Sequence, residues 1–276
     1  MSWTPLGPAL LFCPADRPDR FSKAAASADM VILDLEDGVN TSDRVAARKA
    51  VVDNLLDPQR TILRINPVDS ADFALDLEVL DQTPYTLVML AKTESSEHVD
   101  ALAGRDVIAL CETARGVLQS SSIAAAEATV ALMWGAEDLL VSLGGSSSRF
   151  DSGTYRDYAR FARSHVLLSA RAHDRVAIDA IHLDIADVEG LHVEAHDAAS
   201  SGFSATACIH PSQVNVIRGA YRPTDDEIAW ASGVIRAATN ERGAFRYDGR
   251  MVDAPLLRHA EQILAKSGRL EDERQR

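Results

Sequence analysis

Short runs of apolar residues, each closed by polar or turn-forming residues, recur along the chain, and the stretches between them carry apolar positions at three- and four-residue spacing. Runs of that length, rich in Val, Ile and Leu, fit strands buried on both faces, and their alternation with helical spacing predicts repeated βα units around a parallel sheet. Eight runs begin at Ala9 (ALLFCPA), Met30 (MVILDLED), Thr61 (TILRIN), Thr86 (TLVMLAK), Asp106 (DVIALCE), Thr129 (TVALMWGAED), Val176 (VAIDAIHLD) and Ser204 (SATACIH). Eight consecutive units predict an α/β fold of the TIM-barrel type, (β/α)₈, which typically needs about 250 residues. Between runs six and seven, Tyr155, Tyr158, Phe161, Ala162, His165 and Leu168 predict a helix whose apolar stripe lies on the barrel's outer wall. The Gly- and Ser-rich stretch SLGGSSSRFDSG before it predicts a loop at the catalytic rim.

The eighth unit ends near Tyr221, so the pattern divides the chain into a barrel over 1–222 and an extension over 223–276. The extension reads as helix, hairpin, helix. Ile228, Ala231 and Ile235 share one face of a helix from about Thr224 to Asn240, and Asp248-Gly249 inside FRYDGRMV is a strong hairpin signal. A last helix follows from about Ala254, and the charged tail LEDERQR is expected to fray.

The chain has 276 residues, 46% hydrophobic but 5% aromatic, which suits helices packed on small side chains. A formal net charge of −13 argues against nucleic acid or an anionic membrane as the main partner. A phosphorylated ligand would then need a local basic pocket. No stretch approaches the roughly 20 apolar residues of a membrane span and no secretory pattern opens the chain, so a cytoplasmic protein is expected. Cys13, Cys111 and Cys208 have no Cys-x-x-Cys spacing and sit in apolar runs, as buried reduced thiols do.

Barrel enzymes work at the C-terminal ends of their strands. Here those ends are polar: Asp34, Glu36 and Asp37 close run two, Arg64 and Asn66 run three, Lys92 run four, Glu112 run five, and Glu137 and Asp138 run six. Strand alternation groups Glu112 with Leu110 and Ile108, Asp138 with Trp134 and Leu132, and Arg64 with Ile62 and Asn66, and we assign those faces to the interior. Adjacent strands lie about 4.8 Å apart, so Glu112 and Asp138 can hold one ion. Two carboxylates without His or Cys favour Mg²⁺, which keeps positions open for a chelating 2-oxo acid. Arg64 offers a planar fork for a carboxylate or a developing enolate oxygen, Lys92 a less directed charge, and Glu36 and Asp37 are further catalytic candidates. Asp34 reads as an interior hydrogen-bonding residue, and His210 in CIHPSQ as a structural histidine at a helix start.

With LFCPADRPDR, VILDLEDGV, LRIN, CETARG, WGAEDL, LGG, CIHPSQ and GRMVDAP in order, the sequence resembles the citrate lyase beta-subunit-like family and the related malyl-CoA and citramalyl-CoA lyases over nearly its whole length. The resemblance implies Mg²⁺ on Glu112 and Asp138, Arg64 at the oxo acid or acyl enolate, and substrate contacts at Gly135 and Ala136. It further implies a CoA thioester as substrate, with Arg17, Arg20 and Lys23 as phosphate contacts. Asp253 becomes a general base delivered within a homo-oligomer, a trimer or a multiple of one, although Asp before Ala-Pro is also a good helix cap. The implied reaction cleaves or forms a short 3-hydroxyacyl-CoA. The alternatives are a citryl-group lyase subunit of a citrate lyase complex and a non-catalytic barrel that binds 2-oxo acids or CoA.

Overall fold

The computed structural model describes residues 3–239, 241 and 243–267. Its first compact unit, Met1–Arg218, is built on a closed barrel of eight parallel strands paired in chain order. These are β1 (Ala9–Pro14), β2 (Met30–Asp34), β3 (Thr61–Ile65), β4 (Leu87–Leu90), β5 (Asp106–Cys111), β6 (Thr129–Trp134), β7 (Val176–Asp179) and β8 (Ala205–Cys208), with β8 returning to β1. Each predicted run therefore becomes a strand. The helices that cover and connect them are α1 (Pro18–Ser27), α2 (Arg44–Asp53), α3 (Phe73–Asp81), α4 (Ser96–Asp100), α5 (Ala114–Leu118), α6 (Ser120–Ala125), α7 (Ala136–Leu143), α8 (Asp157–Ala172), α9 (Val188–Ser201) and α10 (Pro211–Tyr221).

The barrel is a packed core with no lumen: Ile32, Ile62, Met89, Leu110, Met133 and Ile178 belong to one buried cluster filled from alternate strand positions. That places Arg64 and Glu112 on the inward parity, as expected. Run six differs. A register shift between Val107 and Ile108 brings Ala131 opposite Ile108 and Met133 opposite Leu110, so Ala131 and Met133 face inward. Trp134 turns to the helical layer, where its indole N–H donates to Asp179 at 2.6 Å. Asp138 is not on the strand at all. Gly135 ends β6 and α7 begins at Ala136, which puts Glu137 and Asp138 in a helical first turn, a favourable place for carboxylates.

Helix α8 also differs from its predicted face. Ala159, Ala162, Val166, Ser169 and Ala170 are buried, whereas Phe161 and Leu168 are 56% and 67% exposed. Two apolar stripes overlap in this sequence, and the one of small residues wins because it lets the helix approach the sheet closely. Phe161 instead stacks on His165, ring centroids 5.3 Å apart. Asn66, expected inside, is drawn toward the helical layer: its side-chain amide donates to Asp76 of α3.

The second unit begins at Gly219 and contains α11 (Asp225–Ala238), the antiparallel pair β9 (Phe245–Tyr247) and β10 (Arg250–Val252), and α12 (Ala254–Lys266). Thr224 and Glu227 form a reciprocal capping box on α11. Asp248 and Gly249 both take positive φ, 47° and 75°, the conformation a two-residue hairpin turn requires. Ile228, Ala231, Val234, Val252, Ala260 and Leu264 give this unit its own core. Asn240 and the tail LEDERQR lie outside the described residues. All three cysteines are free and buried, and burial raises the thiol of Cys13 to about 11. Among the described residues no helix is long and apolar enough to cross a membrane.

Candidate active site

The strand-end residues converge on a cavity of about 310 Å³ at the C-terminal mouth of the barrel. Asp34, Asp37, Arg64, Glu112, Ala136 and Asp138 supply its polar side and the turn into α7, and Phe12, Leu110, Met133, Ile181 and Ile209 its apolar wall. The site is built around Arg64, which is 8% exposed. Its Nε and Nη2 donate to the two oxygens of Asp34 at 2.7 and 2.6 Å, and Nη1 lies 3.0 Å from Glu36. Burial disfavours the guanidinium charge, but Asp34 and Glu36 more than offset it. The Phe12 ring lies against the guanidinium, 4.9 Å from its carbon. Asp34 is thus the clamp that aims Arg64. Its carboxylate also accepts the backbone N–H groups of Glu36 and Gly38, each at 2.9 Å. A Cβ on Gly38 would meet Asp34 Oδ2 at 2.3 Å, so the loop closes this tightly because residue 38 has no side chain.

Lys92 occupies the centre of the acidic rim. It takes the left-handed region with φ 48°, a strained conformation for a side-chain-bearing residue. The strain aims its backbone N–H at Glu112 Oε1, 3.1 Å away, while the ammonium reaches Glu36, Asp37 at 2.9 Å and Asp138 at 3.2 Å. Burial pushes the Glu36 carboxyl up against the pull of Arg64 and Lys92. Asp37 is also penalised by burial, yet its hydrogen bond to Lys92 brings it below the ordinary value.

Glu112 is 2% exposed, and its carboxyl is pushed up to about 8, first by burial and then by Asp138, with Arg64 and Lys92 opposing. The groups in place leave this carboxylate short of positive charge, and a divalent cation shared with Asp138 would make up the deficit. Among the described residues no group of three or more His, Cys, Asp or Glu is arranged around a metal position. A two-carboxylate site suits Mg²⁺, which retains water or substrate in its remaining positions. Gly135 makes room for the Glu112 carboxylate: a Cβ there would stand 2.9 Å from Glu112 Oε2.

Other expected site residues are not among those that line this cavity. Arg17, Arg20 and Lys23 are exposed at the start of α1, outside the cavity, with Arg17 paired loosely to Asp19 at 3.4 Å. Asp253 belongs to the second unit, where its carboxylate caps α12 by accepting the Leu256 N–H at 3.3 Å. His210 does cap a helix start, bonding Ser212. Gln213 of the same motif was not anticipated. Its side chain accepts from the amides of Ile209 and His210 and donates to the carbonyl of His182, spanning the gap beyond the β7–β8 ladder and pinning the two walls Ile181 and Ile209. A glutamine at a helix start carries no sequence signal for that role.

The sequence and the fold have counterparts. The sequence pattern of the family described as HpcH/HpaI aldolase/citrate lyase matches residues 9–105 and 104–211. The chain belongs to that family. It is 60% identical over 262 residues to the citrate lyase subunit beta-like protein of Mycobacterium tuberculosis, covering 95% of this chain and 96% of the relative. It is 29% identical over 291 residues to the human mitochondrial citramalyl-CoA lyase, covering 93% and 84%. Among solved structures, CitE from M. tuberculosis in complex with magnesium, acetoacetate and coenzyme A superposes with a TM-score of 0.94 at 59% identity, covering 95% of this chain and 98% of the other. Family membership places this barrel among lyases and aldolases.

Proposed function

We propose that this protein is a Mg²⁺-dependent carbon–carbon lyase that cleaves, or in reverse condenses, a short 3-hydroxyacyl-CoA such as citramalyl-CoA or malyl-CoA, with acetyl-CoA and a 2-oxo acid on the other side. The observation that carries this reading is one cavity containing both a buried bidentate arginine and two carboxylates, Glu112 and Asp138, of which the buried Glu112 is short of positive charge. The solved CitE complex, with magnesium, acetoacetate and coenzyme A, supports a ligand set of a metal ion, a small oxo acid and CoA.

Glu112 and Asp138 would hold the ion, whose contribution when bound is to polarise and orient the oxygens of the oxo-acid half. The chain's own residues do the rest. Arg64, locked by Asp34, presents preorganised charge to the thioester oxygen as the bond breaks and enolate character develops there. Phe12, Met133, Ile181 and Ile209 exclude water from that oxygen. Ala136 and Gly135 line the approach to the carboxylates, and Lys92 keeps Glu36 and Asp37 in place around the acid half. Arg17, Arg20 and Lys23 are proposed to meet the phosphates of CoA, the local basic cluster that an acidic protein needs for an anionic ligand.

The decisive test is incubation with Mg²⁺ and a panel of 3-hydroxyacyl-CoA thioesters, with products followed by mass spectrometry. Release of acetyl-CoA with pyruvate or glyoxylate is expected. No turnover across the panel, with turnover of a carrier-bound citryl group in the presence of partner subunits, would instead establish a citrate lyase subunit.

The base that removes the hydroxyl proton is proposed to be Asp253. Asn is as good an N-cap as Asp but cannot take a proton, so Asp253→Asn separates the two roles. It is expected to keep the melting temperature while turnover falls by about 10²-fold or more. Full activity in this variant would leave Asp253 as a cap alone.

A further inference from the structure

We propose that Asn66, Asp76 and Arg48 are positioning residues, forming a buried brace through the barrel wall that holds Arg64 in its active orientation; this rests on the reading of Arg64 as the group facing the substrate. The regular β2–β3 ladder ends at the pair Asp34 and Arg64, with Leu35 N–H still donating to the Arg64 carbonyl at 3.0 Å. Asn66 adds one more rung with its side chain, its Nδ2 donating to the Leu35 carbonyl at 3.0 Å. Leu35 is flanked by Asp34 and Glu36, the two carboxylates that grip the Arg64 guanidinium. Slack at Leu35 would therefore move both jaws of the clamp together.

Asn66 is itself fixed from outside the sheet. Asp76 of α3 accepts both the Asn66 backbone N–H at 2.9 Å and its Nδ2 at 2.7 Å on Oδ2, and receives Arg48 Nε of α2 at 2.7 Å on Oδ1. Arg48 continues to Asp72 at 2.6 Å, and Asp72 also pairs with Arg44. Asp76 is 0% exposed and Asn66 1%. Burying such a pair contributes little to stability compared with an apolar substitute, because desolvation consumes most of the attraction. Its distinctive property is directional: both oxygens of Asp76 are engaged, and the chain of bonds ends at the clamp of Arg64. A neutral Asn at position 76 cannot replace it, since one of its two polar edges would present a donor to a donor.

The test uses the full-length protein and two readouts, turnover on the acyl-CoA panel and solvent exchange of the Arg64 Nε–H signal in ¹⁵N-resolved NMR of metal-free protein. In Asn66→Ala the Arg48–Asp76 pair survives while the rung to Leu35 is lost. The expected result is a kcat lower by about 10- to 100-fold with KM little changed, and Arg64 Nε–H exchange faster by at least about tenfold. A purely structural role would lower the melting temperature and leave the Arg64 signal as in the parent protein, and that outcome in a folded variant overturns the proposal. If Asn66→Ala does not fold, Arg48→Lys, which keeps the charge but reaches only one of Asp72 and Asp76, is measured in the same way: faster Arg64 exchange supports the brace and unchanged exchange overturns it. Loosened Arg64 exchange in a protein whose parent turns over no thioester leaves the brace standing and sinks the lyase reading; unaltered exchange in an active parent's variant does the reverse.

Discussion

Replacing Glu112 by Gln is expected to abolish Mg²⁺-dependent turnover and, in the same protein without metal, to raise the melting temperature at alkaline pH. The two effects share one cause. Glu112 sits where its charge is poorly compensated until a cation arrives, and its carboxyl is raised from 4.5 to about 8 by burial and by Asp138. A group whose folded pKa is raised lends the fold stability that is complete below the unfolded value and is lost as pH climbs through the folded one. In metal-free protein that loss runs from about pH 4.5 to about pH 8. Glutamine mimics the protonated form at every pH, so the melting-temperature difference should be small at pH 4.5, grow toward pH 8 and then level off. Turnover should fall by more than about 100-fold, the few kcal/mol of transition-state stabilisation that a lost metal contact removes. Calorimetry of Mg²⁺ binding decides the assignment: undiminished affinity in both Glu112→Gln and Asp138→Asn would mean that neither carboxylate holds the ion.

Arg64→Lys is expected to cost about 10²–10³ in kcat, comparable with the loss of a preorganised oxyanion donor. Lysine keeps the charge but not the fork. Arg64 meets both oxygens of Asp34 and also Glu36 through separate nitrogens, and a single ammonium cannot keep that bidentate grip and face the substrate in one orientation. Some stability is lost as well, because Asp34 is 3% exposed and loses one of its charged hydrogen bonds. Kinetics therefore have to be measured well below the variant's own melting temperature. A kcat within a few-fold of the parent at that temperature would show Arg64 to be an ion pair that closes the barrel mouth and nothing more.

The hydrophobic pattern by itself determined the barrel, because strands buried on both faces leave a signal that only runs of apolar residues can satisfy, and all eight runs became strands. It also placed Arg64 and Glu112 on the inward parity and located the Asp248-Gly249 turn, since period and turn chemistry are local properties. What it could not determine was anything that depends on the neighbour across a gap. The register shift at Val107 and Ile108 turned Trp134 outward, the start of α7 carried Asp138 onto a helix, and the close approach of α8 selected its small-residue stripe over Phe161 and Leu168. Likewise the sequence supplied Asp34, Asn66, Lys92 and Gln213 as polar residues at element ends, but their roles were decided by tertiary structure. A clamp, a brace or a strained lysine is held by bonds between residues 10 to 56 positions apart, such as Asn66 to Asp76 and Lys92 to Glu36, and those distances exist only once the barrel has closed.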